Sequence, residues 1–138
     1  TDCEYAILAI TDIEGNPYCV PISPVIEKGN IYFHSATEGK KIDYLKSNQN
    51  VCISAVSYSK LLPYSFSTEY KSAIAYGKAT FIEDNEEKTH VLRSITEKYA
   101  LANLENFDAE VTSSIKRTLV VKIQVDNITG KANISDES

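Results

Sequence analysis

Residues Ile31 to Asn48, IYFHSATEGKKIDYLKSN, contain a strand that passes directly into a helix, and this junction decides the fold. Ile31, Tyr32 and Phe33 are β-favouring residues that follow a Lys28-Gly29-Asn30 turn. The strand breaks at Ser35-Ala36-Thr37. Ser35 with Glu38 three residues on, or Thr37 alone, is placed to cap the new helix. Ile42 and Leu45 give that helix a buried stripe, and Asn48 stands where a C-cap is expected. A helix N-terminus presents unpaired N–H groups and partial positive charge, which favour an anion. Lys40 and Lys41 fall in the first turn, where a bound phosphate turns their repulsion from the dipole into attraction. The same pair also fits an ordinary solvated helix face.

Upstream, Glu4 to Asp12 (EYAILAITD) is apolar on both alternating faces, the pattern of a strand covered on two sides. After a turn at Ile13-Glu14-Gly15-Asn16, a second strand runs from Pro17 to Ile26. Pro21 and Pro24 remove ladder donors within it, so it belongs on an edge, at a bulge, or where a ligand approaches the backbone. Downstream, Val51 to Val56 is a fourth strand. Ser57 to Glu69 has no regular period and contains a proline, which predicts a loop long enough to bind something or form an interface. Tyr70 to Glu83 reads as a long strand, with Ala73, Ala75, Gly77 and Ala79 on one face, suited to close approach by another layer or a ligand.

Asp84 and Glu87 open a second helix with the stripe Val91, Leu92, Ile95 and Tyr99. Asn103 to Thr118 reads as irregular or a short helix. Leu119 to Val125 is the last strand, after which Ile128-Thr129-Gly130-Lys131 turns into a polar tail. The order β-β-β-α-β-β-α-β, with hairpins and two substantial helices, excludes a doubly wound nucleotide fold. It predicts a mainly β protein, a six-stranded antiparallel barrel with peripheral helices, forming one domain over residues 1–138.

Composition narrows the function. A net charge of −5 argues against nucleic-acid binding, which needs basic stripes to neutralise phosphates. No apolar run approaches the length that spans a bilayer. Cys3, Cys19 and Cys52 are odd in number and widely spaced, which is neither a disulfide framework nor a metal site. With no basic-then-apolar leader after Thr1, a reducing cytoplasm is the expected location. The chain contains no methionine, so an N-terminus that is trimmed or incompletely represented is expected.

The succession Tyr18-Cys19-Val20-Pro21-Ile22-Ser23, Ile31-Tyr32-Phe33-His34-Ser35-Ala36 and Glu38-Gly39-Lys40-Lys41-Ile42 resembles the FMN-binding split-barrel superfamily. More narrowly, it is similar to the pyridoxamine phosphate oxidase-like group that includes nitroimidazole-resistance flavoproteins. Tyr70 to Gly77 and Ile128-Thr129-Gly130-Lys131 fit the same group, so the likeness runs in order through nearly the whole chain. It implies a split barrel that binds FMN, with the phosphate at the corner from His34 to Lys41 and Lys40 and Lys41 as its basic pair. It also implies that Val20, Pro21, Ile22 and Ser23 lie along the isoalloxazine edge, and that Phe33, His34, Ser35 and Ala36 belong to the binding corner. Members are homodimers with the cofactor between subunits, which gives Tyr70 and Ser72 a place against the partner's flavin.

The resemblance implies an FMN-dependent oxidoreductase that passes hydride through flavin N5 from a small-molecule donor to an acceptor such as a nitroaromatic, a quinone or another flavin. A flavin- or haem-binding module that stores its cofactor is the alternative. His34 is the implied catalytic or substrate-binding histidine; hydrogen bonding to the ribityl chain or phosphate, with no part in turnover, is the other role open to it. The chain has no tryptophan, and Arg93 and Arg117, its only arginines, lie in no matching motif. Both departures argue against oxidation of pyridoxamine phosphate.

Overall fold

The computed structural model describes residues 5–62, 67–99 and 115–133. Seven strands, β1 (Ala6–Thr11), β2 (Pro17–Ile22), β3 (Val25–Glu27), β4 (Asn30–Ala36), β5 (Asn50–Leu62), β6 (Ser67–Phe81) and β7 (Thr118–Asn133), form one antiparallel sheet. Two helices accompany it, α1 (Lys40–Ser47) between β4 and β5 and α2 (Asn85–Tyr99) between β6 and β7. The strand order is β2-β1-β5-β6-β7-β4-β3. Its two ends are therefore consecutive in the chain, joined by only Ser23 and Pro24. The sheet must curl until its edges meet at this bridge, yet hydrogen bonding does not close it: the fold is a split barrel.

Six strands were expected and seven are found, because the stretch from Pro17 to Ile26 is broken at Ser23-Pro24 into β2 and β3. Pro24 cannot donate to a ladder, and the chain uses the interruption to cross from one edge of the sheet to the other. The loop expected over Ser57–Glu69 is also corrected. β5 continues to Leu62 and β6 starts at Ser67, with pairs from Tyr58↔Lys71 to Leu62↔Ser67. A strand partner supplies hydrogen bonds that make an apolar period unnecessary. The same holds for Ile128-Thr129-Gly130-Lys131, expected to turn: each residue is in β7, paired with Ala75, Ile74, Ala73 and Ser72 of β6. Most of the irregular segment expected at Asn103–Thr118 lies outside the described residues; Ile115–Arg117 form a 3₁₀ turn and Thr118 opens β7.

Inside the barrel, Leu8, Ile10, Phe33, Leu45, Ile53, Val121 and Ile123 meet in one buried cluster. Alternation along β4 puts Ile31 and Phe33 in that interior and Tyr32 on the outer face, where Val25, Ile82 and Val120 receive Val91, Leu92 and Ile95 of α2. The Asp84 carboxylate caps α2 as expected, accepting from the Glu87 N–H at 3.0 Å.

Beyond the barrel, β5, β6 and β7 run on together as a wing. β1 pairs with β5 only as far as Ser54, and β4 pairs with β7 only as far as Gln124. All of Asp126–Asn133 is exposed although it is strand, and Val56, Tyr76 and Ile128 leave large apolar surface in water.

Candidate functional site

Gly39 makes the corner between β4 and α1. Its φ of 138° is a conformation that side chains rarely adopt, so a glycine is required to turn the strand into the helix. The cap expected from Ser35 or Thr37 does not form: Gly39 is the N-cap and no side chain bonds to it. The helix starts too far beyond both residues for their hydroxyls to serve. The Asp43 N–H donates to the Gly39 carbonyl at 3.1 Å, which leaves the N–H groups of Lys40, Lys41 and Ile42 ahead of the first helical bond. At the other end Asn48 is the C-cap, as expected, and its side chain donates to Thr11 Oγ1 at 3.0 Å. Ile42 and Leu45 are buried, so α1 is held rigidly across one end of the barrel.

Between this corner and the split lies a cleft of about 200 Å³, lined by Tyr5, Pro21, Ile22, Ser23, His34 and Lys41. Four separate stretches meet there: the residue before β1, the end of β2 with Ser23, the outer face of β4 and the first turn of α1. Because β2 pairs with β1 alone, its outward backbone groups have no sheet partner, and since Pro17 and Pro21 carry no N–H, that edge is rich in carbonyl acceptors. Polar contacts are therefore available from main chain, from the Ser23 hydroxyl and from Lys41.

The other residues expected in the site are distributed differently. Val20 pairs with Leu8 and packs on the barrel interior, and Phe33 is buried there. Ser35 and Ala36 finish β4 opposite Leu119 and Thr118. The two lysines part company. Lys40 Nζ lies 4.8 Å from the centre of the Tyr18 ring and 5.6 Å from that of Tyr44, the rings being 5.4 Å apart. Lys41 Nζ points the other way, toward the cleft, 5.6 Å from the Phe33 ring. Ser72 and the backbone of Tyr70 belong to the wing, in mid-sheet, and Ser72 lines no part of this cleft. Tyr5 was not foreseen; it is 63% exposed, and the hairpin register that pairs Ala6 with Ile22 carries it beside Ser23.

Electrostatics set the cleft for an anion. Desolvation pushes the Lys41 amine below its ordinary value. Desolvation, and then the Lys41 charge, push the His34 imidazole below its own. A negative group placed between them relieves both. Among the described residues no group of three His, Cys, Asp or Glu side chains gathers as a metal site, and no helix is long and apolar enough to cross a membrane.

Residues 3–132 match the family model described as pyridoxamine 5'-phosphate oxidase. No curated protein gives a significant match. Among solved structures, a candidate 5-nitroimidazole antibiotic resistance protein from Bacteroides thetaiotaomicron is 35% identical over 92% of this chain and 75% of its own, with a TM-score of 0.74. A flavocytochrome from Azotobacter vinelandii superposes with a TM-score of 0.82 at 20% identity, over 97% of this chain. This chain spans 64% of that protein's length. A heme storage protein from Vibrio cholerae gives 0.70 at 16% identity, over 94% of this chain and 85% of its own. The last two share the fold.

Proposed function

The chain belongs to the pyridoxamine 5'-phosphate oxidase family, and from that we propose that it is a homodimeric FMN-binding oxidoreductase of the nitroimidazole-resistance-related branch. The observation that carries the proposal is the convergence of Pro21, Ile22, Ser23, His34 and Lys41 on one cleft at the barrel's split. These residues fit a phosphate-bearing ring. Lys41 and the uncapped N–H groups of α1 suit the phosphate, and the open edge of β2 suits the polar edge of an isoalloxazine. The flavin itself supplies hydride transfer at N5. The chain's part is to orient the ring along β2, to neutralise the phosphate with Lys41, and to set His34 beside it.

One chain covers one side only. A cleft of about 200 Å³ falls short of the roughly 300–1,000 Å³ that encloses a drug-sized ligand. The wing supports a second copy as the missing wall. A three-stranded extension exposed along Asp126–Asn133 needs cover, and it carries Ser72 and the backbone of Tyr70 away from their own cleft, toward a second copy's. The first test is the visible absorption of the purified protein before and after incubation with FMN and desalting, read on the size-exclusion peak. A two-band flavin spectrum on a species of twice the chain mass is expected. Colourless protein under both conditions removes the cofactor assignment.

A haem-storing module is the second reading, and His34 favours it: a depressed imidazole stays neutral, the form that ligates iron. A Soret band in the same spectrum would select it.

His34 also gives a pH test. In the protein alone its lowered value means that stability is full above about pH 6.5 and declines as pH falls through that value, because the unfolded chain takes the proton first. A bound phosphate reverses the field at His34, so FMN binding takes up a proton there. FMN should therefore bind the wild type more tightly at pH 6 than at pH 7.5, relative to His34→Gln. That variant reports the titration of the phosphate alone. Parallel pH profiles for the two proteins would place His34 away from the phosphate.

A further inference from the structure

The Ser23-Pro24 bridge stands between two hollows. On one side is the cleft; on the other, an open apolar hollow of about 120 Å³ where the barrel meets the wing is lined by Pro24, Ile26, Ala55, Ala73, Ala75 and Ile128, among others. Packing thus supports the bridge incompletely on that side. The sheet adds little, since pairing of β2 stops at Ile22 and that of β3 begins at Val25. What holds the bridge is α2. The Tyr99 hydroxyl donates to the Pro24 carbonyl at 2.6 Å, and Lys98 Nζ donates to the same oxygen at 2.8 Å. Farther along β3, Glu27 accepts from the Ser94 hydroxyl and pairs with His90 Nε2 at 2.9 Å. The helix lies along β3 as a splint, seated by its apolar stripe on Val25, Tyr32 and Val120, and its last turn grips the residue beside Ser23.

We propose that Tyr99 and Lys98 are positioning residues of the cleft. Neither lines it, yet together they fix the carbonyl that determines where the Pro21-Ile22-Ser23 wall stands. A wall free to sink toward the apolar hollow presents its backbone groups and the Ser23 hydroxyl at the wrong depth for a ring held by Lys41. The consequence for cofactor binding rests on the flavin function proposed above; the consequence for the bridge does not.

The test compares Tyr99→Phe, which keeps the ring and deletes one donor, with Ser94→Ala, which deletes a tie on the same splint away from the cleft. Three quantities are read: FMN affinity, the visible circular dichroism of bound FMN, and amide exchange at Ser23 and Val25 in the protein without FMN. Loss of one such hydrogen bond should weaken FMN about fivefold in Tyr99→Phe. The flavin dichroism should change, and exchange at Ser23 and Val25 should quicken. Ser94→Ala should lower Tm to a similar degree and leave FMN affinity within about twofold. Wild-type affinity in Tyr99→Phe, or equal weakening by both variants, overturns the proposal. Should the wild type retain no FMN, the flavin function fails on its own, and wild-type exchange rates at Ser23 and Val25 in Tyr99→Phe would still overturn the positioning role.

Discussion

Replacing Lys41 with alanine should raise the FMN dissociation constant by about 50-fold, the scale of one lost charge-assisted hydrogen bond. Lys40→Ala should raise it by less than about threefold. The asymmetry follows from geometry. Lys40 is occupied between Tyr18 and Tyr44, whereas Lys41 faces the cleft, and desolvation already disfavours its charge until an anion arrives. The double variant should release FMN on desalting. Titration of each variant by quenching of flavin fluorescence distinguishes the cases: equal losses from the two single variants would put the phosphate between the lysines, and an unaltered double variant would remove it from the corner altogether.

Gly77→Ala should destabilise the fold by about 3 kcal/mol and lower Tm by roughly 10 °C, measured by thermal unfolding. At Gly77 the pairing of β6 with β7 shifts register, and the two backbones come unusually close. A methyl group there would run into the Gln124 carbonyl oxygen and stand 3.1 Å from Ile123 Cγ2. The obstacle is main chain in the middle of the sheet, so it cannot swing aside. Gly130→Ala is the control. Its nearest atom is the Ser72 carbonyl oxygen at 3.8 Å, ordinary contact, and its Tm should shift by less than about 2 °C. Equal Tm values for Gly77→Ala and the wild type would show that β7 yields at the bulge.

How far these features could be read from sequence depends on whether their cause is local. The strand-to-helix passage at Ile31–Asn48, the stripe of α2 and its Asp84 cap depend on residues within one or two turns, and they were legible. So was the gathering of Pro21 to Ser23 with His34 and Lys41, through the order of motifs rather than any one of them. The wing was legible only in part. The strand from Tyr70 on was read as such, but the far ends of β5 and β7 show no apolar period, and only their pairing with β6 reveals them. Nor could sequence separate Lys40 from Lys41: adjacent helical residues diverge by about 100°, and which one meets the cleft depends on where Tyr18 has been brought. Tyr99 read as an apolar stripe residue, and its ring does pack there; its hydroxyl's partner is 75 positions away.

The joining of the sheet's two ends by two residues also bears on misassembly. An ordinary open sheet has edges that fail independently, each shielded by its own devices. Here β2 and β3 share one hinge, so a single local opening at Ser23-Pro24 uncovers two strand edges at once. A hinge this short cannot let the β1–β2 hairpin fold back differently on its own barrel, but it allows the hairpin to leave and complete another's. The last turn of α2 holds the Pro24 carbonyl at this hinge with two hydrogen bonds. Any exchange of that hairpin between molecules would have to hinge at the segment those two bonds tie down.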